Sequence, residues 1–151
     1  MADTFSQVHI HFVFAVKYRQ ALIEASWKHR LHQYITGIVR NNQHKMLQIN
    51  SMPDHIHMLI GFRNHQAIAR LIQNVKSESS KWIRDQFLPD FLWQQGYGAF
   101  SHSYSAVETV VHYIQNQEQH HRKHSFLDEY KQLLEQCDLE VGKKQIFSPP
   151  E

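Results

Sequence analysis

The chain has almost no cysteine: Cys137 is the single one among 151 residues, which excludes an intrachain disulfide and a cysteine-built zinc site and fits a reducing compartment. It also has little net charge, +2 with 16 Lys and Arg against 14 Asp and Glu, so charge permits a polyanionic partner without arguing for one. No apolar run approaches membrane-spanning length, and the first ten residues, MADTFSQVHI, lack both a basic segment and an uninterrupted apolar stretch. The expectation is therefore a cytoplasmic protein with no membrane association. Internal repeats, linkers and low-complexity tracts are missing too, so residues 1–151 read as one domain, with a tail at about residues 141–151 expected to be disordered. What is abundant is histidine, 13 residues, whose partial protonation below neutral pH would make the surface more basic.

Residues 8–16 alternate, with Val8, Ile10, Phe12, Phe14 and Val16 on one face and His9, His11, Val13 and Ala15 on the other, which predicts a strand. Lys17, Tyr18 and Arg19 end it with two cations around an aromatic ring. From Ser26, read as an N-cap, Trp27, Leu31, Tyr34, Ile35, Ile38 and Val39 recur at helical spacing up to Asn41 and Asn42. A hairpin follows, from the alternation of Leu47 and Ile49 through the break at Pro53 and Asp54 to a strand beginning at His55. Ile68, Leu71, Ile72, Val75, Trp82 and Ile83 trace a second long helix, with Arg70, Lys76, Lys81 and Arg84 on its polar side. A short aromatic strand is expected within residues 96–104. Ser105 and Glu108 form a capping-box pattern that predicts a helix running to about His121, and Ser125 opens a last helix with Phe126, Leu127, Tyr130, Leu133 and Leu134 on its apolar face. The element order up to the capping box is β, α, β, β, α, β.

Residues 51–62, SMPDHIHMLIGF, place two imidazoles in a run that otherwise reads as a buried strand. Period-two alternation puts His55 and His57 on one face and Ile56, Met58 and Ile60 on the other. Two neutral imidazoles on one face are half a coordination sphere, although spacing alone leaves room for packed or accidental histidines. On the capped helix, Tyr113 and Gln117 are four residues apart, so a phenol and an amide oxygen address one point. Breaking a phosphodiester needs a nucleophile in line with the leaving oxygen and positive charge on the non-bridging oxygens. His55, His57 and the Gln117 amide oxygen would hold a divalent cation with open positions, and Tyr113 would attack. A free tyrosine is only about 0.1% ionised at neutral pH, a cost of about 4 kcal/mol, and a metal that polarises the phosphate reduces how much ionisation is needed. The covalent phosphotyrosine stores the bond energy for rejoining.

The chain resembles the small single-tyrosine HUH transposases, named for a His, bulky hydrophobic, His motif. The likeness spans roughly residues 5–139 and is carried by Lys17-Tyr18-Arg19, residues 52–60, Lys76 with Ser79 and Ser80, Trp93 to Tyr97 and Tyr113 to Gln117, all in the family's order. It implies an α+β fold, an α/β sandwich with a ferredoxin-like antiparallel sheet (the HUH endonuclease fold), and a homodimer whose sites can be composite. It also implies cleavage and rejoining of single-stranded DNA at insertion-sequence ends, with recognition of imperfect hairpins, a 5′-phosphotyrosine intermediate and Mg²⁺ or Mn²⁺ as cofactor. By matching positions, Tyr113 is the nucleophile, His55 and His57 are metal ligands and Gln117 is the third ligand. Lys17, Arg19, Lys76 and Arg84 are DNA-binding candidates on charge and location. Residues 101–105 lack a glycine hinge that some relatives have before the tyrosine helix. Two other readings stay open: a domesticated nuclease acting on repeated genomic hairpins, and a non-catalytic protein that binds metal or nucleic acid. Should the first strand pair beside the histidine strand, His9 and His11 are expected on the same face, as supporting groups, DNA contacts or merely packed side chains.

Overall fold

A computed structural model describes residues 5–136; the expected disorder of the tail lies outside them. Four antiparallel strands, β1 (Val8–Ala15), β2 (Lys45–Met52), β3 (His55–Phe62) and β4 (Gly98–His102), lie in the order β2-β3-β1-β4. Helices α1 (Ala25–Asn41) and α2 (Ile68–Gln86) supply the two crossovers of a ferredoxin-like unit. After β4 come α3 (Val107–Gln115), α4 (Gln117–His121) and α5 (Phe126–Gln136). The expected α+β sandwich is the observed architecture.

The two faces of the sheet are built differently. Ile10, Phe12, Phe14, Ile56, Met58 and Ile60 form one face and pack against Trp27, Leu31 and Ile35 of α1 and Leu71, Ile72 and Val75 of α2. Steps of four along α1 (Trp27, Leu31, Ile35) and of three and four to Val75 along α2 (from Ile72 and Leu71) lay a continuous apolar stripe on the pleat. The opposite face carries His11, Val13, His55, His57 and Leu59. Val13 and Ala15 meet Phe126 and Tyr130 of α5, and Leu59 meets Val110 and Ile114 of α3. β3 is thus covered on both sides, and its histidines end up buried.

Three local expectations are corrected. The long helix from Ser105 to His121 is broken: a 3-10 turn covers Tyr104–Ala106, α3 starts at Val107, and Asn116 (φ −97°, ψ 22°) separates α3 from α4. Its cause is tertiary, because Asn50 Nδ2 donates to the carbonyls of Ile114 (2.8 Å) and Gln115 (3.3 Å), taking up orphan acceptors at the helix end. No side chain caps α3, and Ser105 Oγ lies 3.0 Å from Ser103 Oγ instead. Glu24, not Ser26, occupies the N-cap position of α1, with Ser26 Oγ donating to its carboxylate.

Candidate metal and tyrosine site

The imidazoles of His55 and His57 project from β3 toward α3, α4 and α5, and both residues are fully buried. One carboxylate, Glu129 of α5, stands at their centre and is itself 1% exposed. Its Oε1 lies 2.9 Å from His57 Nε2, 3.1 Å from His121 Nε2 and 3.6 Å from His55 Nε2. Its Oε2 accepts from Tyr113 Oη and from Gln117 Nε2 at 3.0 Å, and lies 3.2 Å from His120 Nε2. The tyrosine hydroxyl and the histidine pair therefore converge within one chain, across a single carboxylate.

Each ligand candidate is held from behind. His55 Nδ1 is 2.7 Å from Asp54 Oδ1, and its ring stacks on Phe126 at 3.7 Å. His57 Nδ1 is 2.8 Å from His11 Nε2, because antiparallel pairing of β1 with β3 puts His11 on the same face. Such partners fix the tautomer and orientation of a ligating ring. Burial pushes the His57 imidazole down to about 4 and that of His11 well below its ordinary value, so both rings are neutral near pH 7. Burial opposes protonation of His55 as well, but the Asp54 and Glu129 carboxylates outweigh it and raise its pKa. For Glu129, burial alone would favour the acid; the neighbouring imidazoles of His121, His55 and His57 prevail and hold the carboxyl well below the usual carboxylate range. Burial and then the charge of Glu129 push the Tyr113 phenol up.

The site fits a divalent cation. His55, His57, His121 and Glu129 each offer one donor atom, all within 4.8 Å of one another. His55 Nε2 is a buried nitrogen with no hydrogen-bond partner, aimed at that same point. Imidazole nitrogens with a carboxylate oxygen are a donor set used by several divalent metals. The amide of Gln117 belongs to the ring of groups, yet its Oε1 sits 3.0 Å from His121 Nε2 while its nitrogen faces Glu129. Glu129 stands between the expected third ligand and the histidine pair.

The cationic candidates divide by location. Lys17 and Arg19 lie in the turn after β1, at the end where Ala15 pairs with His55. Tyr18 (φ 58°) and Arg19 (φ 52°) there adopt left-handed backbone, costly for residues with a side chain. Lys76 and Arg84 are on α2, against the other face. Lys76 Nζ donates to the carbonyls of Gln94 (2.7 Å) and Gly96, and burial pushes it down to about 8; Arg84 Nη1 donates to the carbonyl of Phe91 at 3.3 Å. Both tie down the connector before β4. His9 lies on the histidine face, in register with Gly61 and His102, with its ring near Tyr104, centroids 6.1 Å apart.

Glu129, His120 and His121 were not singled out by sequence reasoning. A signal for Glu129 existed: it follows Phe126 by three and precedes Leu133 by four, inside the apolar stripe of α5, where a carboxylate is costly unless paired. His120 and His121 carry no comparable pattern.

Comparison with known proteins bears on this geometry. The chain is 23% identical over 118 residues to the ISDra2 transposase TnpA of Deinococcus radiodurans, covering 74% of this chain and 84% of that one. Its fold is similar to the crystal structure of a Deinococcus radiodurans protein assigned as a transposase (TM-score 0.64, 21% identity, 78% of this chain and 95% of that one). It is also similar to a REP-associated tyrosine transposase bound to a REP hairpin (TM-score 0.60, 13% identity, 80% and 74%). Residues 4–117, running from before β1 to the start of α4, match the family described as "Transposase IS200 like", and the chain belongs to that family of transposases.

Proposed function

We propose that this transposase cleaves and rejoins single-stranded DNA at hairpin-bearing insertion-sequence ends through a 5′-phosphotyrosine at Tyr113, acting in the cytoplasm as a homodimer. One observation carries the reading: the hydroxyl of Tyr113 is hydrogen-bonded to the same buried carboxylate that touches the histidine pair. Tyr113 Oη, oriented by its hydrogen bond to Glu129 Oε2, attacks phosphorus as its proton passes to a solvent water, and the P–O bond to the departing 3′-oxygen breaks. That oxygen takes up a proton from solvent water to become a 3′-hydroxyl, and the phosphate stays on the 5′ side, esterified to the phenol. Proton transfer in concert with attack avoids a free phenolate, which burial beside Glu129 disfavours. Rejoining runs the same steps backwards from a 3′-hydroxyl.

His55, His57 and Glu129 would hold the divalent cation, with His121 and Gln117 adjacent. Mg²⁺ or Mn²⁺ there supplies Lewis-acid polarisation of the phosphate oxygens when bound. To serve as a ligand, His57 must present the Nε2 lone pair, so its Nδ1–H donates to His11 Nε2; neutral His11 is suited to accept it. His11 is then a positioning residue. Lys17 and Arg19, at the His55 end of the sheet, are the phosphate contacts we favour, while Lys76 and Arg84 hold the connector.

Incubation of the protein with Mg²⁺ and single-stranded element ends should yield a covalent adduct that Tyr113→Phe cannot form; an undiminished adduct in that variant sinks the assignment. The domesticated-nuclease reading draws on the likeness to a transposase bound to a REP hairpin. It predicts repeated genomic hairpins as substrates and no hairpins bracketing the gene. Hairpin binding without cleavage under any metal would instead favour the non-catalytic reading.

A further inference from the structure

Tyr113 lies between two openings that the cleavage chemistry does not use. On one side, a cavity of about 330 Å³ opens between α3 and α5. One wall is Thr109, Val110 and Tyr113 of α3 with Ala106 of the turn before it, spaced three, four and seven along one face. Its α5 wall repeats that spacing with Glu129, Gln132, Leu133 and Gln136, over a floor of His11 and His102. The two residues placed in the reaction, Tyr113 and Glu129, thus belong to its lining. Packed interiors leave few voids larger than a water molecule, whereas here the helices are held apart by short or polar side chains. On the other side of Tyr113, a cleft of about 530 Å³ runs along α4 and is rimmed by His120, Arg122, Lys123 and His124.

We propose that the cavity between α3 and α5 receives the base of one nucleotide flanking the phosphate that Tyr113 attacks, while the Arg122–Lys123–His124 cleft carries the phosphates on the other side of the break. The inference rests on the proposed cleavage of single-stranded DNA and adds where the strand runs and where a base is read. Three features favour this occupant. The cavity volume is at the small end of ligand pockets, suited to one base rather than a duplex. Val110 and Leu133 offer apolar contact to a base face, and Gln132, Gln136 and Thr109 offer the donors and acceptors that an unpaired Watson–Crick edge requires. Charge follows the same division, since cations gather on the cleft side and none lines the cavity. A strand crossing Tyr113 would meet positive charge along its backbone on one side and a base-sized opening on the other.

The test uses the full chain, Mn²⁺ and a library of single-stranded oligonucleotides of random sequence, with covalently captured ends sequenced and equilibrium binding read in parallel. The native protein should show a base preference at a position next to the break. Gln132→Ala, an exposed substitution that leaves the core alone, should weaken that preference several-fold at that position only, and Leu133→Trp, which fills the cavity, should abolish it. Arg122→Ala and Lys123→Ala should weaken binding uniformly across sequences and reduce the salt-dependence slope by about one each. Adducts that form with unchanged base preference in both cavity variants overturn the proposal. A native protein that forms no adduct, yet loses its base preference in binding on Leu133→Trp, overturns the cleavage reading and keeps the pocket.

Discussion

The two faces of the sheet share the same strands and do opposite work. On β3, Ile56, Met58 and Ile60 face hydrocarbon from α1 and α2, whereas His55 and His57, one residue out of step, face a carboxylate, a phenol and further imidazoles. The apolar face is covered by helices of 17 and 19 residues; the histidine face is covered by helices of 9, 5 and 11. Burial of hydrocarbon stabilises in proportion to area, at about 25 cal/mol per Å². Burial of imidazole and carboxylate is favourable only while each group keeps its partner. One face therefore stabilises the fold, and the other places polar groups where water cannot compete for them.

The largest expected effect separates these roles. Phe14 is fully buried on the apolar face, edge-on to Trp93 with ring centroids 4.9 Å apart. Phe14→Ala should cost about 3–5 kcal/mol in denaturant unfolding. Metal affinity, measured below the new melting temperature, should stay within twofold of native; a parallel loss of affinity would show that the faces are not separable.

Glycines give a second contrast. A Cβ at Gly98, on β4 beneath α5, would lie 2.8 Å from ring atoms of Phe100 and Tyr130, while one at Gly37, in α1, meets nothing within 4 Å. Gly98→Ala should cost about 1–3 kcal/mol by overpacking. Because it pushes against the helix that carries Glu129, it should weaken Mn²⁺ binding too. Gly37→Ala should stabilise by about 0.5–1 kcal/mol through helix propensity and leave Mn²⁺ titrations unchanged. Equal melting temperatures for the two variants would erase the contrast.

A third test stays within the site. Asp54→Asn removes the carboxylate that holds His55 Nδ1 at 2.7 Å. Loss of such a partner weakens metal binding about tenfold to a hundredfold, which calorimetric titration with Mn²⁺ would read. Unchanged affinity would mean that His55 is packed rather than poised.

This division also explains what was legible beforehand. Strands and apolar helix faces announce themselves because each repeats one period over many residues: Val8 to Val16 by twos, Ile68 to Ile83 by threes and fours. Tyr113 and Gln117 were legible as neighbours because one helical turn separates them, and in the structure both reach Glu129 even though the helix breaks at Asn116. The break itself was hidden, since neither glycine nor proline marks it and its cause, Asn50, lies more than sixty residues earlier. Glu129 was overlooked for a different reason. Its place between Phe126 and Leu133 already put it on the apolar stripe, but only the docking of α5 over β3 shows that the groups it meets there are the His55 and His57 imidazoles. Likewise, charge alone could not separate Lys17 and Arg19 from Lys76 and Arg84, because the side of the sheet a cation occupies is decided by topology.

The smallest effect concerns a titratable group on the apolar side. His32 of α1 sits 2.7 Å from the hydroxyl of Ser51, and burial, with Lys28 nearby, pushes its imidazole down to about 4. The folded state prefers neutral His32, whereas the unfolded chain protonates it near its ordinary value of 6.5. Its contribution is therefore complete above about pH 6.5 and is lost as the pH falls toward 4. Partial exposure of the ring limits the loss to about 1 kcal/mol. Comparing native and His32→Gln proteins by urea unfolding at pH 7.5 and pH 5 isolates this group from the histidines of the other face. The variant should lose less stability than native on acidification. If both lose the same amount, His32 carries none of the acid sensitivity, and the apolar side contributes through His32 nothing that pH can change.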